Sequence, residues 1–142
     1  MASFQTNIPD DFFKDIENID KFAEKMITAA APVVVNEMKS RLQKHDRTGQ
    51  LSRAVKASKP KYNSKHGGHS CVVRPTGKSK TMIVNGKTYP RKKPERNMEK
   101  LAALEFGKSG QAATPVVADV VKATENEVTD IMQKVYEQEA GI

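Results

Sequence analysis

Two apolar stripes at helical spacing, separated by some seventy residues that lack it, constrain this chain more than any other feature. The first stripe runs through Phe22, Ala23, Met26, Ile27, Ala30, Val33, Val34, Met38 and Leu42. The second runs through Val117, Val120, Val121, Thr124, Val128, Ile131, Met132 and Val135. Steps of three and four residues put each set on one side of a helix, so each predicts a long amphipathic helix with a face to bury. Asn18 or Asp20 is the expected cap of the first, which should reach about His45. A separate short helix is expected before it, from Asp10 to Glu17, presenting Phe12, Phe13 and Ile16. Pro32 lacks an N–H and clashes with the carbonyl of Thr28, so a kink or a break is expected there.

The chain between the stripes reads differently. His45-Asp46-Arg47-Thr48-Gly49 closes the helical pattern, with Gly49 as a turn and Thr48 bonding its backbone. Leu51–Lys59 alternates like a strand until Pro60, and residues 61–70 are loop-like in composition. Cys71–Arg74 reads as a second strand closed by Pro75-Thr76-Gly77. Thr81–Val84 reads as a third, closed by the turn dipeptide Asn85-Gly86. The segment 85–97 is basic and punctuated by proline, hence expected as an exposed loop free to move. Asn97 is the expected cap of a short helix, Met98–Leu104. Together these give an α+β fold in one domain over residues 1–142: long N-terminal helix, small antiparallel sheet with a basic hairpin, short helix, long C-terminal helix.

Leu101–Pro115 delivers the chain into the last helix. Gly107 and Gly110 mark turns, Thr114 and Pro115 read as N-cap and first helical residue, and Gly141 as the stop. Glu105 is the one carboxylate in this stretch, and capping or ion pairing accounts for it better than catalysis.

Charge is segregated. Residues 1–38 hold three Lys/Arg against seven Asp/Glu, residues 39–100 eighteen against three, and residues 101–142 three against seven. Those balances of −4, +15 and −4 make up the net +7. A cationic block of this density seeks phosphate or acidic protein surface. Arg53, Lys56, Lys59, Lys61, Arg74, Lys78, Lys80, Lys87, Arg91, Lys92, Lys93 and Arg96 are the candidate contacts to neighbouring subunits or DNA. Tyr62 and Tyr89 lie among them as stacking surfaces, so a small basic protein binding nucleic acid without sequence preference stands as the alternative reading.

Catalytic and metal chemistry find little support. Gly77-Lys78-Ser79 and Gly107-Lys108-Ser109 lack the Gly that a phosphate-binding loop needs five positions before its Gly-Lys pair. His66, His69 and Cys71 are closely spaced, but a structural zinc site needs about four ligands. No nucleophile elbow or paired carboxylate is evident, so neither an enzyme nor a cofactor is expected. The single Cys71 rules out an internal disulfide, and no apolar run approaches the ~20 residues that span a bilayer. Synthesis in a cytoplasm is the expectation.

The order of short motifs is more specific than any one of them. Ala30-Ala31-Pro32 sits in the first helix, followed by Thr48-Gly49-Gln50-Leu51. After the basic hairpin come Ala103-Leu104-Glu105-Phe106-Gly107 and Gln111-Ala112-Ala113-Thr114-Pro115, then the closing helix. Over residues 15–139 this resembles the tail-component family of tailed bacteriophages, the neck or tail-completion proteins found in prophages of Gram-positive bacteria. Lys108 and Val116 depart from the family pattern, which has Thr or Ser and a large aromatic there. The resemblance implies a structural virion protein, assembling as a ring of its own copies at the head–tail junction. Its implied partners are head-closure or connector proteins and tail-terminator or tail-tube proteins. It also implies assembly in the host cytoplasm and marks Thr48, Gly49, Leu51, Glu105, Phe106, Gly107, Thr114 and Pro115 as structural positions.

Overall fold

The computed structural model describes residues 10–141 apart from 47 and 66, with side chains from residue 17 onward. In chain order the elements are α1 (Asp10–Gln43), α2 (Gln50–Arg53), β1 (Val55–Ala57), β2 (Lys61–Asn63), β3 (Gly68–Ser70), β4 (Val73–Pro75), β5 (Lys78–Val84), β6 (Lys87–Arg96), α3 (Asn97–Phe106) and α4 (Val116–Ala140). The α+β order expected from the stripes holds, and several boundaries move.

α1 is one continuous helix of 34 residues. No boundary falls at Asn18 or Asp20, and the helix runs through Pro32 without a break. A proline inside a helix costs about 3 kcal/mol, and packing on both sides of it outweighs that cost. Toward the N-terminus, Phe22 meets Tyr136 of α4 edge-on, with ring centroids 6.2 Å apart. Toward the C-terminus, Met38 and Leu42 are buried against Val116 and Val120. Lys25 pairs with Glu139 at 2.8 Å, and Arg41 with Asp119 at 3.9 Å. Early α1 therefore meets late α4 and late α1 meets early α4, so the two helices are antiparallel. The expected face of Phe12, Phe13 and Ile16 lies outside the described side chains.

Leu51 does not begin a strand. Residues 50–53 form a helical turn, and the strand starts at Val55. Alternation fails at its start, because Leu51 and its neighbour Ser52 are both buried, and Leu51 joins the same core as Val55. Residues 61–70 are a hairpin, β2 with β3, rather than a loop. The strands form three separate two-stranded antiparallel ladders, β1–β4, β2–β3 and β5–β6.

The β5–β6 hairpin turns at Asn85-Gly86, both at positive φ (51° and 77°), as its sequence predicts. The segment expected to be a loop, 85–97, is mostly strand β6. Its prolines act where the ladder breaks: Ser79 pairs with Glu95, but Thr81 pairs with Pro90. Arg91-Lys92-Lys93-Pro94 therefore bulges opposite Lys80, and Pro94 needs no ladder donor there.

Asn97 is not the cap of α3. It is the first helical residue, fully buried, and its Nδ2 donates to the Thr76 carbonyl at 2.6 Å while its backbone N–H donates to Gly77 at 3.0 Å. Arg96 occupies the cap position without a capping side chain. Asn97 thereby fastens α3 to the turn before β5.

One core joins five of these elements: Met38, Leu42, Leu51, Val55, Leu101, Val116 and Val120, one or two from each of α1, α2, β1, α3 and α4. Leu42 has no exposed surface, whereas Val121, on the predicted α4 stripe, is 57% exposed. Leu42→Ala should lower the unfolding free energy by about 2–5 kcal/mol. Val121→Ala should lower it by less than about 0.5 kcal/mol. Urea denaturation followed by circular dichroism would show the contrast, and equal losses would place the core elsewhere.

Candidate assembly surfaces

The corner between α3 and α4 is built around Glu105. From the last turn of α3 its carboxylate accepts the Val117 N–H at 2.7 Å and the Ala118 N–H at 3.3 Å. These are orphan donors of the first turn of α4, where a negative charge also meets the positive end of the helix dipole. Thr114 and Pro115 thus stand one residue earlier than expected: α4 starts at Val116, Pro115 holds the cap position, and Thr114 makes no side-chain cap. The Thr114 N–H instead donates to the Leu104 carbonyl at 2.6 Å. Gly141 ends the helix in the left-handed conformation, as expected.

Gly107 makes the corner possible. Its φ of 77° disfavours a side chain, and a Cβ would lie 3.0 Å from both Ala113 N and Gln111 O. Gly110 shares the φ of 77° but faces open space. Phe106, between the fixed carboxylate and the fixed glycine, is 81% exposed. A large aromatic ring held in solvent on a rigid corner makes no use of its apolar area within one copy.

The Thr48–Leu51 turn is equally structural. Thr48 Oγ1 accepts the Gln50 N–H at 3.2 Å, and Gly49 takes a φ of 73°. Asp46 Oδ2 accepts the Ser52 N–H at 2.8 Å, a capping role that sequence reasoning assigned to Thr48 alone. The chain resumes strand geometry two residues after Arg53, whose guanidinium reaches the Thr48 carbonyl at 3.4 Å.

Of the twelve candidate basic contacts, all but Arg91 are exposed. Arg91 is tied down by the Thr81 carbonyl at 3.0 Å and by Glu95 at 3.2 Å. Two cross-strand pairings set like charges opposite each other: Lys56 with Arg74 on β1–β4, and Lys78 with Arg96 at the root of the β5–β6 hairpin. Such pairs destabilise a ladder unless an anionic group lies against them. Arg74, Lys78 and Arg96 also line one pocket of about 160 Å³. Lys59 and Lys61 lie apart from that pocket, flanking the start of β2.

The hairpin carries apolar area as well. Met82 and Tyr89 are register partners and share a face with the Val84–Lys87 pair; all four are exposed. Sequence reasoning missed a second apolar surface. Two adjoining cavities, of about 270 and 470 Å³, share Ile27, Ala31 and Cys71. The first extends along Val34, Val121, Val128 and Met132, forming a trough between α1 and α4. The signal was present in the breadth of the two stripes, which hold more apolar residues than one small core can cover.

Of His66, His69 and Cys71, the last two have other surroundings. His69 packs on its register partner Tyr62, centroids 5.2 Å apart, and its Nδ1 lies 3.3 Å from Asp20. His66 lies outside the described residues. Cys71 lines the trough. Among the described residues no group of His, Cys, Asp and Glu is arranged to hold a metal ion. No helix among them is long and apolar enough to cross a membrane.

Against known proteins, the chain matches over residues 10–89 the HK97-gp10-like family, described as "Bacteriophage HK97-gp10, putative tail-component". No curated protein and no solved structure matches it. The matched span contains Ala30-Ala31-Pro32 and Thr48-Gly49-Gln50-Leu51 and ends within β6. The Glu105 corner lies beyond it.

That corner can be tested by itself. Gly107→Val, which adds a clash with backbone to an unfavourable φ, should lower the melting temperature well below that of Gly110→Ala. Glu105→Ala should cost about 0.5–2 kcal/mol through the two lost capping bonds. Thermal melts giving the reverse order for the two glycines would show that the corner does not set the α3–α4 geometry.

Proposed function

We propose, for a chain that belongs to the HK97-gp10-like family of bacteriophage tail components, a place at the head–tail junction. There it acts as a neck or tail-completion subunit in a ring of identical copies. The ring joins head-closure or connector proteins on one side to tail-terminator or tail-tube proteins on the other. Assembly in the host cytoplasm precedes its residence in the virion. This is a structural role, and the chemistry asked of the protein is recognition.

The observation that carries the reading is the pair of like-charge ladders, Lys56 opposite Arg74 and Lys78 opposite Arg96. An isolated copy is strained by them, and a neighbour presenting carboxylates relieves the strain. The helices supply that charge: α1 holds seven Asp/Glu against five Lys/Arg, and α4 six against two. A basic surface on one copy facing an acidic surface on the next is a head-to-tail contact, and such contacts close into rings when the rotation permits.

A second reading rests on Tyr62 and Tyr89, 57% and 44% exposed among the lysines. Exposed rings beside basic side chains suit stacking on nucleic acid, so the same surface would bind DNA non-specifically and with a steep salt dependence.

Replacing Lys87, Arg91, Lys92 and Lys93 together by Ser tests the role of the basic surface. Virions assembled with the variant should show a loss of joined heads and tails, or of packaged DNA, in electron micrographs and DNA-release assays. Intact joining together with intact DNA retention would refute that role. Phe106→Ser should leave stability within about 0.5 kcal/mol of wild type while reducing incorporation into particles, since its ring contributes nothing to the fold of one copy.

A further inference from the structure

We propose that the β5–β6 hairpin of one copy docks in the α1–α4 trough of the next copy, so that the ring is built from one repeated arm-in-groove contact. The inference rests on the ring reading above and specifies its joint.

Three observations bring these two surfaces together. The hairpin pairs only with itself, and its face of Met82, Val84 and Tyr89 is exposed. Apolar area of this kind on a projecting two-stranded arm is marginal alone and gains by burial against another element. The trough offers matching apolar area from Ile27, Ala31, Val34, Val121, Val128 and Met132. The hairpin and the two helices that form the trough are also opposite in charge: Lys78–Arg96 holds seven Lys/Arg against one Glu, a balance of +6. α1 and α4 together hold thirteen Asp/Glu against seven Lys/Arg, a balance of −6. Exposed Glu24 and Glu125 lie one helical turn from Ile27 and from both Val121 and Val128, beside the trough where the lysines of the arm would arrive.

The occupant is a second copy rather than the same one. Within one copy Thr81, Met82 and Ile83 line a pocket with His45, Asp46 and Thr48, just past the C-terminal end of α1. The trough runs along α1 from Met38 back to Ile27, and that far end stands 16 residues before the last residue of α1, about 24 Å along the axis at 1.5 Å per residue. Each copy then offers one arm and one groove, which makes the contact heterologous and repeatable.

Cys71, the single cysteine, lines the trough and serves as a built-in reporter. Val84→Cys places a second thiol beside the hairpin turn. A short bis-maleimide added to the purified full-length variant should produce a ladder of dimers, trimers and larger species on a denaturing gel. The ladder should vanish in the Val84→Cys/Cys71→Ser variant. It should also vanish with Val128→Lys in the trough, at unchanged melting temperature. A link confined to one copy would mean that the arm lies on its own groove. Dimers alone would mean a symmetric contact. No multimers at any protein concentration would mean no docking, and loss of the ladder on adding random-sequence duplex DNA would make the arm a nucleic-acid surface. Any of these four results overturns the proposal. Virions built with Val128→Lys separate it from the broader reading: normal head–tail joining without a ladder removes the docking and leaves the junction role standing.

Discussion

The structure depends on one convergence, the burial of the C-terminal end of α1 against the N-terminal end of α4. Leu42, Met38, Val116 and Val120 meet there, and Leu51, Val55 and Leu101 arrive from the short elements between. Burying a side chain such as Leu or Val is worth about 1.5–3 kcal/mol, so this cluster is the main source of cohesion in the chain. Among the described residues, the far end of the helix pair is joined by Phe22 on Tyr136 and by the Lys25–Glu139 pair. That pair is a surface contact of the kind that adds little. A small core at one end leaves two long features beyond it: the distal helix pair with its trough, and the β5–β6 hairpin.

Polar fastening holds the elements to that core where apolar area runs out. Asp46 caps α2, Asn97 ties α3 to the turn before β5, and Glu105 ties α3 to α4. In each case a side chain from one element satisfies the backbone of another, so the hydrogen bond fixes relative orientation as well as closing a donor or acceptor. Gly107 lets Glu105 reach, because only a residue without a Cβ passes so close to Gln111 and Ala113. Phe106 is held in solvent as a consequence of the same constraint.

Much of this was legible in the residues, and the misses share a cause. Helical stripes, the Asn85-Gly86 turn and the Gly141 stop are local signals, and local signals read well. Asn18 and Asp20 both favour a cap by local chemistry, yet α1 passes through them, and its continuation past Pro32 is decided by α4, which no local rule sees. Leu51 and Val55 share a strand parity that Arg53 interrupts, and a spacing of four fits a helical turn equally. Pro90 and Pro94 argued for a loop, whereas they occupy places where β6 can spare a donor. The caps moved for a related reason. Thr48, Asn97 and Thr114 have the right chemistry, but Asp46 and Glu105 took two of the roles from a distance, and Asn97 was drawn inward to Thr76.

What the sequence could not show is which apolar and charged surfaces one copy leaves without an internal use. Val121 belongs to the α4 stripe by periodicity and yet lies largely in solvent, because the core ends before its side of the helix. Lys56 and Arg74, or Lys78 and Arg96, are simply basic residues in the sequence; only the strand register sets them opposite each other. Exposed ion pairs in water are worth little across a Debye length of about 8–10 Å at physiological salt. Charge alone would therefore steer copies together without holding them. Apolar area alone would hold them without selecting an orientation. On the proposed reading the arm and the trough each carry both, so salt would slow the encounter while burial of Met82, Val84 and Tyr89 would set the lifetime of the contact. On the same reading, assembly covers the apolar area that the small core leaves exposed at Val121, Met82, Val84 and Tyr89.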